Sequence, residues 1–260
     1  MKMTLTIDFS AWAQISVTGG DRVRFIGGLS TVPVATMAVG QSHWGAILSP
    51  KGRVLSVLEL TVETDALRLR CQPSLADKTL ALLERYAVMD DVAFALDFVA
   101  GFRRWSAATD PWTARFEAGT PPADALALDA PAVQAARIRA GLPHYGTDID
   151  EDCFPFESAL GHALDYQKGC YVGQEPVFRV FAQGNAARAA RVVRLGEAKA
   201  LPAGTLISHP KRDKAGEITS SIVYEGETWA LAYMHRSVLD ENLGFAIAGH
   251  AVTLALPAVP

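Results

Sequence analysis

Cysteine is scarce in this chain: three in 260 residues, at positions 71, 153 and 170, with no Cys-x-x-Cys pair. An odd number at that spacing excludes a disulfide framework and a closed zinc site. No apolar run reaches the ~18 residues that span a bilayer, so no membrane helix is expected. Met1 to Val17 has no apolar stretch followed by a small-residue cleavage site, so no secretory leader is expected and the cytosol is the expected compartment. Cationic surplus is also missing: 24 Lys and Arg against 28 Asp and Glu leave a net charge of −4. Proteins dedicated to nucleic acid carry the opposite balance, so no direct nucleic-acid contact is expected. The six histidines are scattered without a His-Glu-x-x-His, and the glycines at 19, 20, 27 and 28 satisfy neither dinucleotide nor phosphate-loop spacing. No resident metal and no nucleotide loop are expected.

What is present is an ordinary globular composition, 50% hydrophobic and 20% charged, enough to bury one large domain or two closely packed ones. Gln14 to Val17 reads as a strand, Thr18-Gly19-Gly20 as a turn and Asp21 to Leu29 as a helix with Val23, Ile26 and Leu29 on one face. Strands at His43–Ser49 and Arg53–Val62 flank the turn Pro50-Lys51-Gly52. A third strand follows at Ala66–Arg70 and a fourth at Val92–Val99. Between them Ser74 to Tyr86 reads as a helix capped by Ser74. Gly101 to Asp129, with prolines at 111, 121 and 122, reads as an irregular linker. Pro131 opens a helix that stops before Gly141. Beyond Gly184, short apolar runs (191–195, 205–208, 218–224, 228–233 and 251–256) alternate with turn residues, as in a small β-barrel.

One stretch carries chemistry: Lys168-Gly169-Cys170-Tyr171-Val172-Gly173-Gln174-Glu175. Lys168, two residues before the cysteine, and a helix N-terminus shortly after it both favour the thiolate. Gly169 and Gly173 allow sharp turns on either side, and Pro176 suits the first turn of that helix. An exposed, activated Cys170 is the functional reading; a buried, inert thiol is the bland one.

This stretch resembles the signature of the YgfZ-type family, folate-binding relatives of the glycine-cleavage aminomethyltransferase. Other segments are similar to that family in the same order: Val17-Thr18-Gly19-Gly20-Asp21, Ser49-Pro50-Lys51-Gly52-Arg53-Val54, Arg139-x-Gly141-Leu142-Pro143 with Tyr145-Gly146-x-Asp148, Pro155-x-Glu157, and Gly216-Glu217-Ile218-Thr219-Ser220. The resemblance implies an α+β fold, a three-lobed ring of two mixed α/β lobes (residues 1–185, interleaved) and a C-terminal β-barrel (186–260), around a channel for tetrahydrofolate. It implies Cys170 and Lys168 as chemical residues, Glu157 as the pterin contact, and Tyr145, Asp148, Tyr171, Gln174 and Glu175 near the cofactor. A carboxylate suits the pterin, since it accepts two hydrogen bonds from the 2-amino and ring N–H edge. Arg179 would pair with the folate glutamate tail or with Glu175. Arg188, Arg191 and Arg194 read more simply as a solvated strand edge.

The implied role is support of iron–sulfur protein assembly or repair, including tRNA-modifying proteins. Its partners would be iron–sulfur client or scaffold proteins, and a cluster would be held transiently at most. The alternatives are a folate-dependent aminomethyltransferase or demethylating enzyme, and a plain binding module. Thr31-Val32-Pro33-Val34 lacks an aspartate that many relatives carry there. Arg70-Cys71-Gln72-Pro73-Ser74 lacks the acid that acts at the folate nitrogen in the aminomethyltransferases. Both departures count against the enzyme reading.

Overall fold

The computed structural model describes residues 4–106, 116–158, 160–161, 164–165, 168–182, 186–241 and 244–255. Three sheets carry the chain. A five-stranded antiparallel sheet runs in the order β3 (Ser42–Leu48), β4 (Val54–Val62), β5 (Leu67–Cys71), β2 (Ala13–Thr18), β6 (Ala93–Phe98). Strand β4 is buried along nearly its whole length, so apolar residues fall on both of its faces instead of alternating with exposed polar ones. Helix α1 (Arg22–Leu29) turns Phe25, Ile26 and Leu29 onto this sheet. Helix α2 (Ala76–Tyr86) adds Leu83 and the buried Thr79, whose hydroxyl bonds Ser56 Oγ at 2.7 Å. Ile15, Leu58, Leu60, Leu67 and Leu69 complete that core.

The second sheet joins β1 (Thr4–Asp8), β7 (Gly101–Ser106) and β8 (Phe116–Ala118). Strand β1 was not expected, and β7 and β8 correct the reading of 101–129 as an irregular linker. The pattern in β7 hid because Phe102, Arg103 and Trp105 are all buried; an arginine at a core position breaks the alternation that marks a strand. Residues 107–115 of that stretch lie outside the described ones. Helix α2 also corrects its expected start: Pro73–Leu75 forms a 3₁₀ turn, and no side chain caps the helix at Ala76. Helix α3 (Pro131–Arg139) begins at its proline and ends two residues before Gly141, which has φ +74°.

The third sheet has seven strands: β14 (His250–Ala251), β13 (Ala246–Ile247), β10 (Leu206–His209), β11 (Arg212–Tyr224), β12 (Glu227–His235), β9 (Arg188–Leu195) and β15 (Thr253–Ala255), in that order. Its two edge strands are separated in sequence by Val252 alone, so the sheet curls into a nearly closed barrel around Val193, Ile207, Ile218, Ala230 and Phe245. Strand β11 begins earlier than expected and shifts register between Ile218 and Ser220, a bulge at Thr219 that re-aims side chains there. With two α/β parts and a barrel, the architecture is the three-lobed α+β fold expected. Among the described residues no helix is long and apolar enough to cross a membrane.

A tryptophan-walled cavity and a separate cysteine loop

Between the two smaller sheets and α3 lies a cavity of about 270 Å³, near the lower bound of the ~300–1,000 Å³ usual for small-molecule sites. Trp12, Trp44 and Trp105, with Phe9, Ile7 and Val57, form its apolar wall. Arg103, Arg137, Gln72, Gln134, His144 and Asp129 supply its polar groups. Flat apolar walls with a few fixed polar groups suit a planar heterocycle.

Two buried ion pairs support the rim. Arg103 Nη2 bonds Glu59 Oε2 at 2.5 Å, and both side chains are almost fully buried. The guanidinium lies 4.7 Å from the Phe9 ring, 5.7 Å from Trp12 and 4.9 Å from Trp44, so cation–π contact joins the cation to the cavity wall. Arg70 Nη1 approaches the same Glu59 oxygen at 4.0 Å. The second pair is Arg137 Nη1 with Asp148 Oδ2 at 2.6 Å.

Gln72 fixes the state of His144. Gln72 Oε1 accepts the Tyr145 backbone N–H at 2.9 Å, so its amide nitrogen faces His144 Nε2. That ring nitrogen must then accept, which places the imidazole proton on Nδ1 and leaves the ring neutral, an assignment drawn from the hydrogen-bond network. Burial, then the Arg137 charge, holds its pKa below the usual histidine value.

The sequence-named residues sit elsewhere. Asp148 is buried and its oxygens are occupied: Oδ2 accepts Arg137 and the His144 N–H, and Oδ1 accepts Thr219 Oγ1 at 2.5 Å and Ser220 Oγ at 2.6 Å. Glu157 is buried too. It closes the 3₁₀ turn Pro155–Glu157 by accepting the Phe154 N–H at 3.0 Å and lies 3.5 Å from Arg188 Nε. Tyr145 is half-buried, its phenol accepting from Lys78 Nζ at 2.8 Å, and burial raises its pKa. None of the three lines the cavity.

The cysteine loop docks on another part of the five-stranded lobe. Cys170 is exposed. Val172 N–H bonds Gly28 O at 3.0 Å, and Tyr171 is buried in a second core with Leu48 and Val54. Helix α4 (Gln174–Ala182) follows, with Glu175 and Arg179 paired on its exposed surface. Lys168 Nζ donates to Gly27 O (2.8 Å), Ser30 O (2.5 Å) and Val32 O (2.8 Å). All three ammonium N–H groups therefore secure the end of α1, leaving none for the Cys170 sulfur. Burial lowers the Lys168 pKa to about 8, so at neutral pH it is mainly the charged, three-bond form. Lys168→Met is expected to cost about 2–3 kcal/mol in a urea titration, the worth of charge-assisted bonds left unmade. A variant as stable as wild type would remove this anchoring role. Among the described residues no group of three or more His, Cys, Asp or Glu side chains is placed to hold a metal.

No family model matches the chain. Curated proteins do. It is 24% identical to "tRNA-modifying protein YgfZ" of Yersinia pseudotuberculosis, over 98% of this chain and 91% of that protein. The protein of that name from Sodalis glossinidius is 26% identical, over 91% and 87%. An uncharacterised Haemophilus influenzae protein is 24% identical over 92% of each chain. The chain is similar to the YgfZ-type proteins along nearly its whole length. Among solved structures, the glycine cleavage system aminomethyltransferase T of Bartonella henselae superposes with a TM-score of 0.82 at 19% identity, over 99% of this chain and 87% of that one. That likeness establishes the fold. The sequence singled out the cysteine loop, whose Cys170 is exposed, and gave no sign of the cavity, whose tryptophans at 12, 44 and 105 share no local pattern. Glu59, in the strand run Leu58-Glu59-Leu60, gave the one available signal, a lone charge inside a mostly apolar strand.

Proposed function

We propose that this protein binds tetrahydrofolate in the tryptophan-walled cavity and supports assembly or repair of iron–sulfur proteins in the cytosol, tRNA-modifying ones among them, through Cys170. The observation that carries the reading is the separation of two sites: an aromatic-walled cavity for a flat ligand, and an exposed thiol on a loop held by backbone bonds outside it. The residues fit the cofactor. Indole faces stack on a pterin, and Gln72, Asp129 and Gln134 offer donors and acceptors to its edge. Bound folate would supply a one-carbon carrier, and Cys170 a nucleophile or ligand for a cluster or sulfur species presented by a client protein. A cluster held there takes its remaining ligands from the client.

The test is complementation of a strain lacking its own YgfZ-type protein, scored by a radical iron–sulfur tRNA-thiolating enzyme, with folate binding measured on purified protein. Wild type is expected to restore activity. Cys170→Ser is expected to fail while binding tetrahydrofolate as wild type does. Full rescue by Cys170→Ser would replace this reading with a plain binding module. One observation favours the enzymatic alternative: Asp129 places a carboxylate on the cavity wall where the sequence showed no acid. Methylene-tetrahydrofolate formed from a loaded lipoyl partner, and lost in Asp129→Asn, would establish it.

A further inference from the structure

We propose that Arg137 is the residue that reads the negative charge of the cavity's ligand, and that Asp148 with the barrel hydroxyls of Thr219 and Ser220 positions it. The inference rests on the folate reading of the cavity and assigns the glutamate-tail carboxylate to Arg137 rather than to Arg179, which is tied to Glu175 on the exposed face of α4.

The geometry is restrictive. Arg137 lines the cavity from α3, with Nε on Gln134 Oε1 (3.1 Å), Nη1 on Leu142 O (2.8 Å) and Asp148 Oδ2 (2.6 Å), and Nη2 on Ser220 Oγ (3.3 Å). A guanidinium has five N–H groups. Four are engaged, and among the described residues the fifth, on Nη2, has no protein acceptor. The head is held from three sides with one donor to spare, as a pre-organised anion contact requires.

The other cavity cation is differently placed. Arg103 is almost fully buried, paired with Glu59 and packed against three aromatic rings, so it belongs to the wall. The carboxylate on the wall, Asp129, lies just before the start of α3 at Pro131, and Arg137 lies six residues into that helix, about 9 Å along its axis at 1.5 Å per residue. A ligand laid along α3 would have its N–H-rich edge drawn to Asp129 and its carboxylate repelled from there toward Arg137. Asp148 does not touch the cavity, yet all its oxygens orient Arg137, His144 and the β11 bulge. The barrel thereby takes part in setting the ligand site.

Calorimetric binding of three probes to the full chain tests this: tetrahydrofolate, its glutamate diamide, and 6-methyltetrahydropterin, which has no tail. Wild type is expected to bind tetrahydrofolate roughly ten- to a hundredfold tighter than the diamide, the range for a lost charge-assisted bond. Arg137→Gln is expected to abolish that preference, leaving 6-methyltetrahydropterin within about twofold of wild type by the same reckoning. Arg137→Lys should retain part of the preference, and Asp148→Asn should reduce it. The wild-type comparison needs no variant to fold. A wild type indifferent to the charge overturns the inference, as does a variant that weakens all three probes equally. If wild type binds none of them, the folate reading fails first and the inference with it.

Discussion

Replacing Glu59 with glutamine is expected to lower stability by about 3–5 kcal/mol, the usual result of removing one partner from a buried ion pair. For a chain this size that is a fall of roughly 6–20 °C in melting temperature. Glu59 is 2% exposed and Arg103 4% exposed, with Arg70 also buried beside them. Burial disfavours the Arg103 cation, and Glu59 is the counter-charge that offsets it. An amide cannot. It accepts one bond from Arg103 while presenting an N–H₂ to a neighbour that has only donors.

The consequence extends past stability, because the Arg103 head lies against Phe9, Trp12 and Trp44 and so helps hold two of the cavity's tryptophans. Tetrahydrofolate binding is expected to weaken together with the melting temperature. The companion variant Glu59→Gln with Arg103→Met removes both charges and should regain much of the lost stability, since apolar replacements of buried pairs are often neutral or better. A single variant within about 0.5 kcal/mol of wild type, where ordinary surface changes fall, would show that solvent reaches this pair and that the wall is not built on it.

The elements that could be read in advance are those whose residues follow one local rule. The hairpin from β3 to β4 is signalled by Pro50-Lys51-Gly52, and Gly52 has the expected positive φ of +78°. Helix α1 places Phe25, Ile26 and Leu29 at helical spacing, and the cysteine motif ends in a glycine turn that leaves Cys170 exposed. What escaped reading depends on pairs far apart in the chain. Arg103 is buried only because Glu59, 44 residues away, is there to meet it, so β7 cannot be recognised from Gly101 to Ser106 alone. Asp148 sits in a glycine turn, where an aspartate suits local capping. Its hydroxyl partners come from the barrel 71 and 72 residues later. In the segment that the resemblance singled out, Leu142, Pro143 and His144 face the cavity, while Tyr145 and Asp148 do not line it.

Substituting alanine for Gly173 is expected to separate the two sites cleanly. Gly173 has φ +81°, a region that costs an L-residue about 1–2 kcal/mol. A Cβ there would overlap the Ser49 carbonyl oxygen and press on Leu48 Cβ at 3.0 Å and Gly52 Cα at 3.2 Å. These are backbone and core atoms of the β3–β4 hairpin, so relief requires the loop to move; overpacking of this kind adds about 1–3 kcal/mol. The two glycine turns are packed face to face: a Cβ added at Gly52 would itself meet Val177 Cγ2 at 2.9 Å and the Gly173 carbonyl oxygen at 3.2 Å. The total, about 2–5 kcal/mol, falls on the turn that carries Cys170 into α4. No residue of that turn lines the cavity. Gly173→Ala is therefore expected to speed amide exchange in residues 168–182 and to fail in complementation much as Cys170→Ser does, while holding tetrahydrofolate at close to wild-type affinity. If complementation persists with the loop displaced, the thiol does not act from a fixed position, and the docking of the loop on the hairpin serves stability alone. If folate binding falls in step with complementation, the cavity and the cysteine loop form one site, and their separation is lost as the basis for the proposed function.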